Sequence, residues 1–101
     1  MKTAARVDAN QPAIVAALRN VGATVQPLHM VGKGCPDLLV GYRGVNYLLE
    51  VKDGSQPPSR RRLTADELNW HGYWGGQVAI VENEDEALLA IGATNKVAAG
   101  K

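Results

Sequence analysis

The apolar positions of this chain change period several times, and each change marks an element. Ile14, Val15, Leu18 and Val21 recur at helical spacing with alanines between them. Asp8 or Asn10 stands where a cap is needed, Pro12 falls in the first turn and Gly22 is a stop signal. Thr24 to Met30 reads as a strand in which Val25 and Leu28 are apolar, and Pro27 sends it to an edge or a bulge. Leu38 to Tyr42 and Val45 to Val51 are two apolar runs around Arg43-Gly44, the signature of a β-hairpin. In the second run Val45, Tyr47, Leu49 and Val51 share one face, and Asn46, Leu48, Glu50 and Lys52 share the other. Thr64-Ala65-Asp66-Glu67 is a capping box that opens a helix to about Trp74. Trp70 and Tyr73 are expected in the core, and His71 on the surface or at an interface. Gly75-Gly76 ends that helix. Gln77 to Val81 reads as a short, buried, central strand, and Glu84 to Ile91 as a last helix. The order is α-β-β-β-α-β-α, an α/β (α+β) chain with a mixed sheet flanked by helices.

The hairpin carries the chemistry. A two-residue turn puts Tyr42 opposite Val45, and counting back along both strands puts Asp37 opposite Glu50. Directly opposed side chains have Cβ atoms roughly 4.5–5.5 Å apart. Two like charges at that separation destabilise a sheet unless something compensates, and a divalent cation would do so. Lys52 shares the Glu50 face and adds a third polar group. The arrangement depends on register, because a slip of one residue throws Asp37 to the other side.

Composition narrows the picture. The 101 residues suit one domain, expected over 1–93, with 94–101 a small, polar, disordered tail. The net charge of +1 excludes a protein that is basic overall, so attraction for phosphate must come from local clusters. Arg60, Arg61 and Arg62 are the densest positive run and are expected to supply that attraction. Lys33 lies between Gly32 and Gly34, where backbone can approach a phosphate, although no Ser or Thr follows as in a Walker loop. His29 reads as a half-buried surface residue. The single cysteine, Cys35, forms no internal disulfide, reads as a small filler, and fits a reducing, cytoplasmic setting. No apolar run has the length of a membrane span, and the first residues lack a signal-peptide core.

Pro36-Asp37, a strand-length gap and Glu50-Val51-Lys52 together spell PD…ExK. With the surrounding GKGCPDLLVGYRG, NYLLEVKDG, LTADELNWH and GQVAIV, the chain resembles the VRR-NUC (virus-type replication-repair nuclease) family in its small stand-alone form. That family belongs to the PD-(D/E)XK nuclease superfamily, and the resemblance runs from about Asp8 to about Ile91. It implies a restriction-endonuclease-like core. It also implies a metal-dependent, structure-specific DNA endonuclease acting on branched DNA such as four-way (Holliday) junctions, working as a homodimer and leaving a 5′-phosphate and a 3′-hydroxyl. Asp37 and Glu50, with the backbone carbonyl of Val51, would then hold Mg²⁺ or Mn²⁺. Lys52 would orient or deprotonate the attacking water, or stabilise the pentavalent phosphate. Superfamily members often carry a further acid on the first helix. The corresponding region here reads Asp8, Asn10, Gln11, and Asn10 or Gln11 would orient a metal-bound water without adding charge. The family often has Gln, near the active site, where this chain has Glu67; the cap already accounts for Glu67, which stands with Asn10 and Gln11 as an accessory candidate of the site. The competing reading is a non-catalytic DNA-binding or assembly module that keeps the fold, against which the intact Asp37, Glu50 and Lys52 speak.

Overall fold

Two left-handed residues set the register of the whole sheet. Arg43 and Gly44 have φ of 51° and 81°, the signs that a tight two-residue hairpin turn requires at both central positions. Tyr42 therefore pairs with Val45, and the ladder runs back to Leu38 opposite Leu49. One further step places Asp37 across from Glu50, as the count along the sequence expects.

The structure is a computed structural model and describes residues 7–93. The expected tail at 94–101 lies outside the described residues. Helix α1 (Gln11–Asn20) leads to strands β1 (Thr24–Pro27), β2 (Leu38–Tyr42) and β3 (Val45–Val51), then helix α2 (Ala65–Tyr73), strand β4 (Ala79–Val81) and helix α3 (Glu84–Ala90). A 3-10 turn at Pro58–Arg60 precedes α2. The order is the one the apolar pattern predicts. The four strands lie in the order β1-β2-β3-β4, antiparallel up to β3, with β4 parallel to β3 after the α2 crossover.

One face of the sheet carries the core. Leu38, Val40, Leu49, Val51 and Val81 meet Ile14 and Leu18 of α1 and Ala87 and Ile91 at the end of α3. Side chains alternate along a strand, so Asp37, Glu50 and Lys52 fall on the opposite face, where α2 lies. The C-terminal ends of β3 and β4 are tied by Asn10. It occupies the N-cap position of α1 but makes no cap bond. Its Nδ2 donates instead to the carbonyls of Lys52 and Glu82, both at 3.0 Å.

Three expectations need correction. Strand β1 stops at Pro27, on the sheet edge that the proline foretold, and only the Leu28 N–H continues toward β2, donating to the Asp37 carbonyl at 2.7 Å. Strand β4 is an edge strand of three residues rather than a central one, and Ile80 is 46% exposed. Gln77 lies outside it, but its side chain copies a strand residue: Oε1 accepts the Leu48 N–H at 2.7 Å and Nε2 donates to the Leu48 carbonyl at 3.2 Å. Helix α2 buries no residue, and Tyr73, expected in the core, is 82% exposed. Its polar side faces the sheet, so its apolar side has no layer to cover it. Trp70, half-buried, stacks on Trp74 with ring centroids 4.5 Å apart.

Candidate active site

The ends of β2 and β3, the Gly32–Gly34 loop and the start of α2 enclose a cleft of about 320 Å³. Asp37, Glu50 and Lys52, which the hairpin count brings together, all line it, as do Asp8 and Glu67. The Asp37 Oδ2 accepts the Val51 N–H at 2.7 Å. That bond fixes the carboxyl at the mouth of the strand pair. Lys52 donates its own N–H to Val81 on the β4 side, so Val51 presents its polar backbone edge to the side where Asp37 sits. Glu50 is only 1% exposed.

Helix α2 supplies the second half of the site. The capping box is fully formed: Thr64 Oγ1 accepts the Glu67 N–H at 3.1 Å, and Glu67 Oε1 accepts the Thr64 N–H at 2.9 Å. The same Glu67 oxygen lies 2.7 Å from Lys52 Nζ. The cap therefore holds Glu67 in the rotamer that meets the lysine. One turn further on, His71 Nε2 lies 3.3 Å from Glu50 Oε1. Gly34, at φ 83°, sits so close to the first turn of α2 that an added Cβ would collide with the Asp66 carbonyl. Only glycine fits there, and the loop and helix are packed together by that contact.

Charge in the cleft is unbalanced. Burial, then the neighbouring Asp37, pushes the Glu50 carboxyl up to about 10. Burial also raises Asp37, partly offset by the Val51 N–H. Asp8 is raised by burial and by Asp37. For Lys52, burial opposes the charge, but the hydrogen bond and charge of Glu67 overcome it and raise the pKa. Glu67 is lowered, because the Lys52 and Thr64 contacts outweigh its burial. Burial, then Glu50, raises the Cys35 thiol, so it rests as a neutral filler. Lys52 and Glu67 neutralise each other, which leaves Asp37 and Glu50 short of positive charge. That deficit fits a divalent cation. Among the described residues no three His, Cys, Asp or Glu side chains are arranged to hold a metal ion by themselves. Asp37 and Glu50 would need a backbone carbonyl, water and substrate phosphate to complete an octahedral shell.

No family model matches the sequence, and no curated protein does. A solved structure described as a VRR_NUC domain matches with a TM-score of 0.59 and 29% identity, covering 80% of this chain and 88% of that chain. The chain has the VRR-NUC fold. The resemblance carried by its sequence motifs thus extends to three dimensions, and the core is of the nuclease type.

Within this VRR-NUC fold the other sequence candidates divide. Lys33 lines the cleft, and it is held at φ 57° between two left-handed glycines. Arg60 and Arg62 are exposed beyond the site. Arg61 is not free like its neighbours, because its Nη1 lies 3.2 Å from Glu82 Oε1. Asn10 and Gln11 do not reach the cleft. Asn10 is engaged in the strand clamp, and Gln11, the first residue of α1, is buried with its Oε1 unpaired. His29 lines the cleft. Three features are not visible in the sequence pattern. Asp8, which reads as a cap, is the acid nearest α1 that reaches the cleft. Glu67 serves cap and lysine at once. His71, which reads as a surface residue, faces Glu50. Its signal was the spacing: four residues after Glu67 is the same side of a helix.

Proposed function

We propose that the chain is a metal-dependent, structure-specific DNA endonuclease whose reaction centre is Asp37, Glu50 and Lys52. The observation that carries this reading is the pair of carboxylates facing each other at the hairpin end, Glu50 buried and Asp37 half-buried, with a charged lysine beside them, in a chain of VRR-NUC fold. Asp37, Glu50 and the Val51 carbonyl would hold Mg²⁺ or Mn²⁺. When bound, the cation would lower the pKa of its water and offset charge on the phosphate. Lys52, kept charged by Glu67, orients the attacking water or stabilises the pentavalent phosphate; it would take the water's proton only after passing its own to Glu67. Asp8, just before α1, adds an acid that lines the same cleft. Lys33, Arg60 and Arg62 supply phosphate contacts that the chain's net charge does not.

The substrate in this reading is branched DNA such as a four-way junction, cut by a homodimer whose two-fold symmetry presents two centres to two strands. Cleavage leaves a 5′-phosphate and a 3′-hydroxyl. Labelled duplex, flap and four-way-junction DNA incubated with the purified protein, with and without Mg²⁺ or Mn²⁺, test the proposal. Cation-dependent nicking of the junction in preference to the duplex is expected. No cleavage of any substrate with either cation would remove the enzymatic reading in favour of a binding module.

A further inference from the structure

Helix α2 has its polarity inverted. Leu68 and Tyr73 point to solvent at 62% and 82% exposure. Beside the half-buried Trp70, the side chains it shelters are the polar Glu67 and His71, with His71 at 13%. A helix that contributes nothing to the core does not need to bury a histidine for packing.

The two sheltered residues match two residues of β3 and its end. Four helical residues advance about 6.0 Å, and two strand residues advance about 6.6–6.8 Å. The Glu67–His71 step is therefore commensurate with the Lys52–Glu50 step. Glu67 meets Lys52 at 2.7 Å and His71 meets Glu50 at 3.3 Å. We propose that His71 is a positioning residue for Glu50, holding one carboxylate oxygen so that the other is presented beside Asp37. This rests on the metal-site reading above. A carboxylate ligand that can rotate binds a cation less well than one fixed by an outer hydrogen bond, and loss of such a partner commonly costs about 10–100-fold in metal affinity.

The test compares the full chain with His71→Ala, His71→Gln and Glu50→Gln, using Mn²⁺ titration by calorimetry, single-turnover cleavage across Mn²⁺ concentrations, and thermal melts without metal. His71→Ala should weaken Mn²⁺ binding about tenfold or more and shift the metal dependence of cleavage by the same factor. The rate at saturating Mn²⁺ should change much less. His71→Gln, whose amide can donate from a similar place, should recover most of the affinity. Both His71 variants should stay folded, since α2 lies outside the core. A His71→Ala protein that binds Mn²⁺ as the wild type does, while Glu50→Gln does not, overturns the role of His71 and leaves the metal site standing. Equal loss of affinity in His71→Ala and His71→Gln also overturns it. Wild-type protein that binds no Mn²⁺, or Glu50→Gln that binds it unchanged, sinks the metal site itself and this inference with it.

Discussion

Lys52 is the side chain on which the competing chemical roles separate. Its charge is fixed by Glu67, and Asp37 and Glu50 remain in place when it is removed. Lys52→Ala should keep metal binding, tightened by the loss of a nearby positive charge, and lower the cleavage step about a hundredfold or more. Lys52→Arg should not restore it, because a guanidinium is bulkier and does not give up its proton. A pure phosphate anchor predicts the opposite, weak DNA binding with near-normal single-turnover rates, and arginine as a partial substitute. Glu50 gives a second residue-scale prediction. Its folded pKa is raised above the ordinary 4.5. The stability it contributes is therefore complete below that value, and it is lost as pH rises from there toward the folded pKa. Without metal, wild-type protein should weaken as pH climbs through neutrality. Glu50→Gln should flatten that slope and stabilise the apo fold by on the order of 1–3 kcal/mol at mildly alkaline pH. Urea melts with chelator across pH check this, and parallel slopes for both proteins would contradict it.

Among the elements, α2 and the arginine run carry the consequences. The Thr64 cap holds both the helix start and the rotamer of Glu67. Thr64→Ala removes the Oγ1 that accepts the Glu67 N–H and should cost about 1 kcal/mol. The backbone N–H of residue 64 that aims Glu67 at Lys52 survives, so any fall in activity should be small and come from fraying of the first turn. A large loss of cleavage at that modest cost in stability would contradict this. In the arginine run the three residues should not behave alike. Arg60→Ala with Arg62→Ala should flatten the salt dependence of duplex binding by about 0.9 in log–log slope for each phosphate no longer neutralised. Arg61→Ala removes a half-exposed pair with Glu82, worth about 0–1 kcal/mol, and should change binding least. Salt titrations of the variants decide whether the run acts as a unit.

At the scale of the whole molecule, the parts legible in the sequence are those controlled by neighbours in the chain. The Arg43-Gly44 turn determines the register of β2 on β3, and a count of residues then brings Asp37 to Glu50. The capping box at Thr64 and Glu67 is equally local. What is not legible depends on layers. Nothing near Ile80 says that no strand will lie beyond β4, so a run of apolar residues that reads as central sits at an edge. Nothing near Tyr73 says that the face of the sheet below α2 is polar, so its aromatic residues read as core. Asn10 resembles a helix cap because its tie to Lys52 and Glu82 joins positions far apart in sequence. The exposed Leu68, Tyr73 and Ile80 offer apolar area for the proposed homodimer. Sedimentation at micromolar concentration should show a dimer, and Tyr73→Glu should shift it toward monomer if that area is the contact.

The hairpin also acts as a spacer. Five residue steps separate the Tyr42–Val45 pair from the Asp37–Glu50 end, roughly 17 Å at the usual strand rise. The tip at Gly44 is open, with nothing within reach of an added Cβ. It is thus a natural handle: a dye, an affinity tag or a fused partner attached there hangs far from the cleft. A long flexible loop inserted at the tip can leave both strands paired as they are, whereas a single added residue must be absorbed by bulging or by sliding one strand. The shortest insertion should therefore be the most damaging one, the reverse of the usual rule for tagging a protein.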